Sequence, residues 1–238
     1  MKIKQKASIH NSAMLKELLL FYLPLGIYSM IMMSTHSVMN LGISRAANAK
    51  IGLAAFAVTM NIMNTFASPC FGARQMLVAL AHDKKSLRVS KAVMIKITFL
   101  SLSVLSILAF TPIGEFVFVT LFNTPQNLMK DVKSAAVFAL SLPFIYTLRA
   151  YSQGIIIVKK KTEYLTFTVI VRILFMIVLA IILPKIESLS GASIGMIIWT
   201  SGMALESVVN FLFSRKLYSN MPEKPVYVEG KEDLSTKT

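Results

Sequence analysis

Apolar runs of about 20 residues alternate with short clusters of lysine and arginine along this chain as far as Phe213. At 1.5 Å per residue each run can cross ~30 Å of hydrocarbon. Six such runs occur: about Leu18–Gly42, Ile51–Met76, Ala92–Phe110, Val132–Val158, Tyr164–Leu183 and Leu189–Phe213. Each must be helical in lipid, because only a helix satisfies its own backbone groups. The pattern predicts an all-α membrane protein. It divides into a segment 1–17, a six-helix bundle over 18–213 and a polar, disordered tail over 214–238. Pro24, Pro69 and Pro143 fall inside runs, where each removes a backbone donor and is expected to kink its helix. The stretch TPIGEFVFVTLFNTPQNLMK, Thr111–Lys130, is bracketed by Pro112 and Pro125 and predicts an interfacial helix. No convincing repeat is found within the six spans.

Composition narrows the class. Hydrophobic residues make up 55% of the chain and charged residues 15%, against about a quarter charged in soluble domains. The net charge of +14 does not point to nucleic acid, because no basic run is interleaved with exposed aromatics. The basic residues instead report topology. One side holds Lys2, Lys4, Lys6, Lys16, Lys84, Lys85, Arg88, Lys91, Lys159, Lys160, Lys161, Arg215, Lys216 and three tail lysines, 16 in all. The other holds five: Arg45, Lys50, Lys130, Lys133 and Lys185. The positive-inside rule places both termini in the cytoplasm, with the cell membrane as the expected location. The N-terminus is basic like a signal peptide, but its apolar stretch runs on without a small-residue cleavage site, so it reads as a retained helix.

Chemistry-bearing motifs are scarce. Cys70 is the single cysteine, and His10, His36 and His82 are far apart, so no metal site is expected. No Walker motif, nucleophile elbow or HExxH occurs, and an enzyme is not expected. The 15 methionines suit adaptable helix packing.

Charges within the spans are more informative. Lys96 and Arg74 lie near span ends, where long side chains snorkel to the headgroups. Arg149 sits nine residues before Val158, ~13 Å deep. Arg172 lies ~12 Å in from Tyr164, and Glu206 ~10 Å in from Phe213. Three ionisable groups on three helices thus converge on one layer in the cytoplasmic half. Groups at that depth must face one another, a water-filled cavity or a ligand. One reading is an internal ion pair that fixes helix register. The other is an anion site in which two arginines outnumber one carboxylate, with Gln153 on the face of Arg149 as a further donor. A second, uncharged set comprises His36, Asn40, Asn61 and Asn64. It reads either as helix–helix hydrogen bonding or as a polar lining with His36 carrying protons.

The stretches YLPLGIYSM, HSVMNLGIS, LAAFAVTMNIMNTFASP, DKKSLRVSKAV and LPFIYTLRAYSQGIIIVKKK resemble the MATE-like branch of the multidrug/oligosaccharidyl-lipid/polysaccharide flippase superfamily. They are most similar to the N-terminal half of progressive ankylosis-type proteins. The resemblance implies two six-helix bundles about a pseudo-two-fold axis, enclosing a central cavity and alternating between inward- and outward-open states. This chain supplies one bundle, so either a second copy or a homologous half-transporter is the expected partner, or the chain is a degenerate half. The cation-coupled drug exporters of this branch carry an acidic residue in the first helix. Here GIYSMIMMSTHSVMNLG has none, which argues against that sodium or proton site and against a cationic drug. Progressive ankylosis-type proteins are associated with export of anions such as citrate, nucleotides and pyrophosphate, which suits the arginine excess.

The reading that follows is a half-size secondary transporter exporting a small organic or phosphorylated anion. Its only cofactor would be a coupling ion, H+ or Na+. Rival readings are efflux of lipophilic drugs or flipping of lipid-linked saccharides, and a non-transporting scaffold or subunit of a full transporter. The topology is testable first. Cysteines introduced by Ser8→Cys and Ser235→Cys should resist an impermeant thiol reagent added to intact cells and react after permeabilisation. Efficient labelling from outside at either position reverses the orientation.

Overall fold

The computed structural model describes residues 2–80 and 83–219; described side chains begin at Leu18 and leave out Leu20 and Phe21. Every regular element among the described residues is helical. Helix α1 spans Lys2–Ser44, α2 Ala49–Leu80 and α3 Lys84–Phe110. A short α4, Pro112–Phe116, runs into a π-helical turn at Val117–Leu121, and a 3-10 turn at Gln126–Leu128 leads into α5, Met129–Ala139. The chain continues as α6, Leu142–Val158, α7, Glu163–Ile182, and α8, Gly191–Ser219. Among the described residues, four helices are long and apolar enough to cross a bilayer: α2, α3, α7 with its 3-10 extension to Lys185, and α8. The protein is an all-α membrane protein. The first expected span falls within α1, and the expected tail beyond Ser219 and His82 lie outside the described residues.

The fourth span departs from expectation, because it is two helices. Pro143 has no N–H to give to the carbonyl four residues back, that of Ala139, where α5 ends. The Leu140 N–H turns back to the Val137 carbonyl at 3.3 Å, and α6 restarts with Ile145 bonded to Ser141 at 3.1 Å. Helices α1 and α2, by contrast, run on through Pro24 and Pro69. The expected helix between Pro112 and Pro125 is present over Pro112–Leu121 and is too short to span. It doubles back tightly on α3: a Cβ at Gly114 would lie within 3 Å of three Leu108 backbone atoms, so only glycine fits.

Two other local devices set the helix ends. Asp83 caps α3, exchanging hydrogen bonds with Ser86 in a capping box. The Ser86 hydroxyl and neighbouring backbone amides hold the Asp83 carboxyl below the usual carboxylate range. Helix α6 ends in a Schellman motif. Lys161 N–H bonds the Ile156 carbonyl at 3.0 Å and Lys160 N–H the Ile157 carbonyl at 2.9 Å, with Lys160 at φ 53°. That reversal sends α7 back through the bundle.

Contacts at the two ends show the alternation. At one end the close of α1 meets the starts of α2 and α8. A Cβ on Gly52 would sit 2.9 Å from Gly191 Cα, and one on Gly195 2.5 Å from Ile43 Cδ1. At the other, basic end, Leu77 of α2 packs against Gly154 of α6, and Lys84 of α3 lies over the Tyr218 ring of α8. A buried cluster that includes Met39, Ile43, Phe56, Met63, Leu142 and Trp199 fills the centre.

Small residues let α2 and α8 approach as membrane helices do when lipid gives no hydrophobic drive between them. Gly52→Ala should therefore lower the melting temperature of the purified protein, overpacking typically costing about 1–3 kcal/mol. Gly72 has nothing within 4 Å of its would-be Cβ. Gly72→Ala should hold or raise the melting temperature by its helix propensity alone. Equal effects of the two changes in thermal unfolding contradict this packing.

Candidate functional site

Helical spacing puts Tyr146, Arg149 and Gln153 on one buried face of α6. On α7, Arg172 is buried in line with Val169 and Met176. On α8, Glu206 lies in the buried row that includes Trp199, Met203 and Asn210. Gly202 makes room for Arg172, since a Cβ there would stand 3.3 Å from the arginine Cγ and 2.5 Å from Met176 Cγ.

The three charges expected at one depth meet in one cluster. Arg149 Nε donates to Glu206 Oε1 at 3.2 Å, and Arg172 Nη1 donates to Glu206 Oε2 at 2.6 Å. Arg149 is 1% exposed, and Arg172, Glu206 and Gln153 are 0% exposed. Gln153 Nε2 donates to Glu206 Oε1 at 2.9 Å. All four residues proposed from the sequence as the charged site are thus in contact. The ion pair of the simpler reading is a triad, because Glu206 serves both guanidiniums.

Sequence reasoning missed the contribution of α1. Tyr28 accepts from Arg149 Nη2 and, at 2.9 Å, from Gln153 Nε2, and donates to Glu206 Oε1 at 3.4 Å. Thr35 accepts from Arg172 Nη2 at 2.5 Å, and Met32 Sδ lies 3.3 Å from Arg149 Nη2. Tyr28, Met32 and Thr35 follow the 4-3 spacing of one helical face, a signal that was available in the sequence. Arg74 also corrects the snorkelling expectation. It turns inward, its Nη1 donating to Gln153 Oε1 at 2.9 Å, with its guanidinium over the Phe71 ring at 5.1 Å. Lys96 is exposed, as a snorkelling side chain requires.

The uncharged set divides. Asn64 accepts from the Tyr146 hydroxyl at 2.7 Å, which in turn accepts from Trp199 Nε1 at 3.2 Å. His36 stacks on Trp199 with ring centroids 5.9 Å apart. His36, Asn40 and Asn61 are nonetheless exposed on α1 and α2. Phe71, also on α2, packs edge-on against Tyr146, and its ring lies 5.6 Å from Arg149 Cζ.

Electrostatically the layer holds three guanidiniums, those of Arg74, Arg149 and Arg172, for one carboxylate. Buried arginine forks match the oxygens of a carboxylate or phosphate. Glu206 fills that role in the present conformation, and Arg172 Nε has no hydrogen-bond partner among the described residues.

A family model described as progressive ankylosis protein (ANKH) matches residues 7–233. No curated protein and no solved structure matches the chain.

The triad has a thermodynamic signature. Glu206→Gln leaves two buried guanidiniums without counter-charge and should destabilise by about 3–5 kcal/mol. Replacing Arg149, Arg172 and Glu206 together by methionine removes the buried charges at similar volume and should recover most of that loss. Melting curves of the purified variants decide it. A Glu206→Gln protein as stable as the parent is incompatible with the triad.

Proposed function

The chain belongs to the progressive ankylosis protein family, and on that premise we propose that it is a half-size secondary transporter. Its cargo is a small organic or phosphorylated anion, exported by alternating access between two six-helix bundles. The single observation that carries the reading is the excess of guanidinium over carboxylate in a fully buried layer. In this scheme Glu206 occupies Arg149 and Arg172 while cargo is absent. An incoming carboxylate or phosphate takes over one or both arginines, and Glu206, released, is the group that can accept a proton. Phe71 is the side chain that must move for the anion to reach them. Both termini face the cytoplasm of the cell membrane in this reading, in line with the distribution of basic residues.

The second bundle is supplied by another copy of this chain or by a homologous half. What supports this is the set of exposed polar side chains on α1 and α2, His36, Asn40 and Asn61. Polar side chains on spanning helices avoid lipid and face protein or water. The competing reading, a purely structural triad in a scaffold or subunit, is favoured by the closed hydrogen bonding of Glu206.

Uptake of labelled anions into proteoliposomes containing only this chain, with and without a pH gradient, separates the two. Transport predicts saturable uptake of a carboxylate or phosphorylated anion that responds to the gradient. Arg149→Gln should raise the apparent affinity constant by tenfold or more, since a charge-assisted hydrogen bond contributes about 1.5–3 kcal/mol. The triple methionine variant should be stable and inactive. A stable triple variant with full transport removes the anion site, and no uptake by the parent chain favours the scaffold.

A further inference from the structure

Helices α3 and α8 both pack on α6 and scarcely on one another. They leave between them a groove of about 880 Å³, floored by α6. Its lining is sharply divided. At the basic end stand Arg88 and Lys91 of α3 and Arg215 of α8, and deeper in lie Met94, Phe99, Phe144 and Phe211. Among the described residues no acidic side chain lines it. Arg88, Lys91 and Arg215 are exposed and have no ion-pair partner among the described residues. Lys84, over the Tyr218 ring at the same mouth, adds a fourth positive charge.

The dimensions are those of one leaflet. From Arg88 to Phe99 the α3 wall rises about 16 Å at 1.5 Å per residue. That is half of the ~30 Å hydrocarbon thickness. Ile95, Phe99 and Phe144 are exposed along this length, so the apolar part opens sideways towards lipid. The groove uses the Phe144, Leu148, Tyr151 and Ile155 face of α6, while Arg149 and Gln153 point elsewhere into the triad.

We propose that this groove holds one anionic phospholipid of the adjoining leaflet. Its phosphate lies among Arg88, Lys91 and Arg215, and an acyl chain runs along α6 towards Phe99 and Phe144. Two features select this occupant. A zwitterionic headgroup brings its own cation to three that are already unpaired. A small soluble anion satisfies those three and leaves the apolar wall empty. Basic pockets between spanning helices at the cytoplasmic face recognise anionic headgroups by this charge complementarity. The site is independent of the transport reading, since none of its side chains hydrogen-bonds Arg149 or Arg172 among the described residues.

The test uses the full chain purified in mild detergent. Phosphatidylglycerol or phosphatidylcholine with identical acyl chains is added, and bound lipid is counted by native mass spectrometry. One phosphatidylglycerol per chain should be retained in preference to phosphatidylcholine. Arg88→Gln, Lys91→Gln and Arg215→Gln should each weaken it roughly fivefold, and the three together should erase the preference while leaving the melting temperature unchanged. Leu148→Trp, which fills the floor and spares the cations, should also weaken it, and glycerol phosphate should fail to displace it. Equal retention of both lipids overturns the proposal. So does a preference that survives in the triple glutamine variant. Displacement by glycerol phosphate at matched concentration overturns it too, by making the ligand a soluble anion.

Discussion

A carboxylate removed from water must find compensating charge and hydrogen bonds, or it is not carried ionised at all. Glu206 finds both from Arg149 and Arg172, with Gln153 and Tyr28 filling the remaining positions around Oε1. That requirement reaches well beyond the three charged residues. It fixes the rotation of α6, α7 and α8 relative to one another, and α1 must present Tyr28 and Thr35 to the same layer. It also bears on Gly202, whose missing side chain leaves space chiefly for Met176 and, beside it, for the stem of Arg172. The helices pack where the charges allow.

The depth of each charge was legible in the sequence, because span ends and a fixed rise per residue give a coordinate along the membrane normal. Arg149, Arg172 and Glu206 could be brought to one layer on that ground alone, and Gln153 joined them by its four-residue spacing on the face of Arg149. Azimuth was not legible to the same degree. Nothing in a single helix says whether Tyr28 or His36 turns towards the charges, and the choice falls to packing against α6, α7 and α8. Arg74 shows the same gap: its position near a span end permits snorkelling, and Gln153 and Phe71 draw it inward instead. The break between α5 and α6 depended on whether Pro143 bends a helix or ends it. A missing donor is compatible with both, and the surrounding contacts select.

The bundle presents two contrasting surfaces around this layer. One is the exposed polar set on α1 and α2, and α2 also carries Phe71, whose ring lies 5.6 Å from Arg149 Cζ. The other is the basic-to-apolar groove between α3 and α8, on a different face of α6. Helix α6 is therefore shared between a charged interior and a lipid-like exterior, and its short length after the Pro143 break lets it carry both without belonging to a rigid longer rod.

The order of the triad along the chain has a consequence for biosynthesis. Arg149 and Arg172 lie on α6 and α7, while the carboxylate that neutralises them is on α8, which is made after both. Each arginine costs about 2.5–3.5 kcal/mol to place at the centre of a spanning helix during insertion. Two such segments must be accommodated before Glu206 has been synthesised. Until then α6 and α7 are held by the apolar content of their own sequences, by snorkelling and by earlier helices such as α1. Arrival of α8 gives α6 and α7 their counter-charge, so the step that locks these two helices is electrostatic and falls to a single residue made after both.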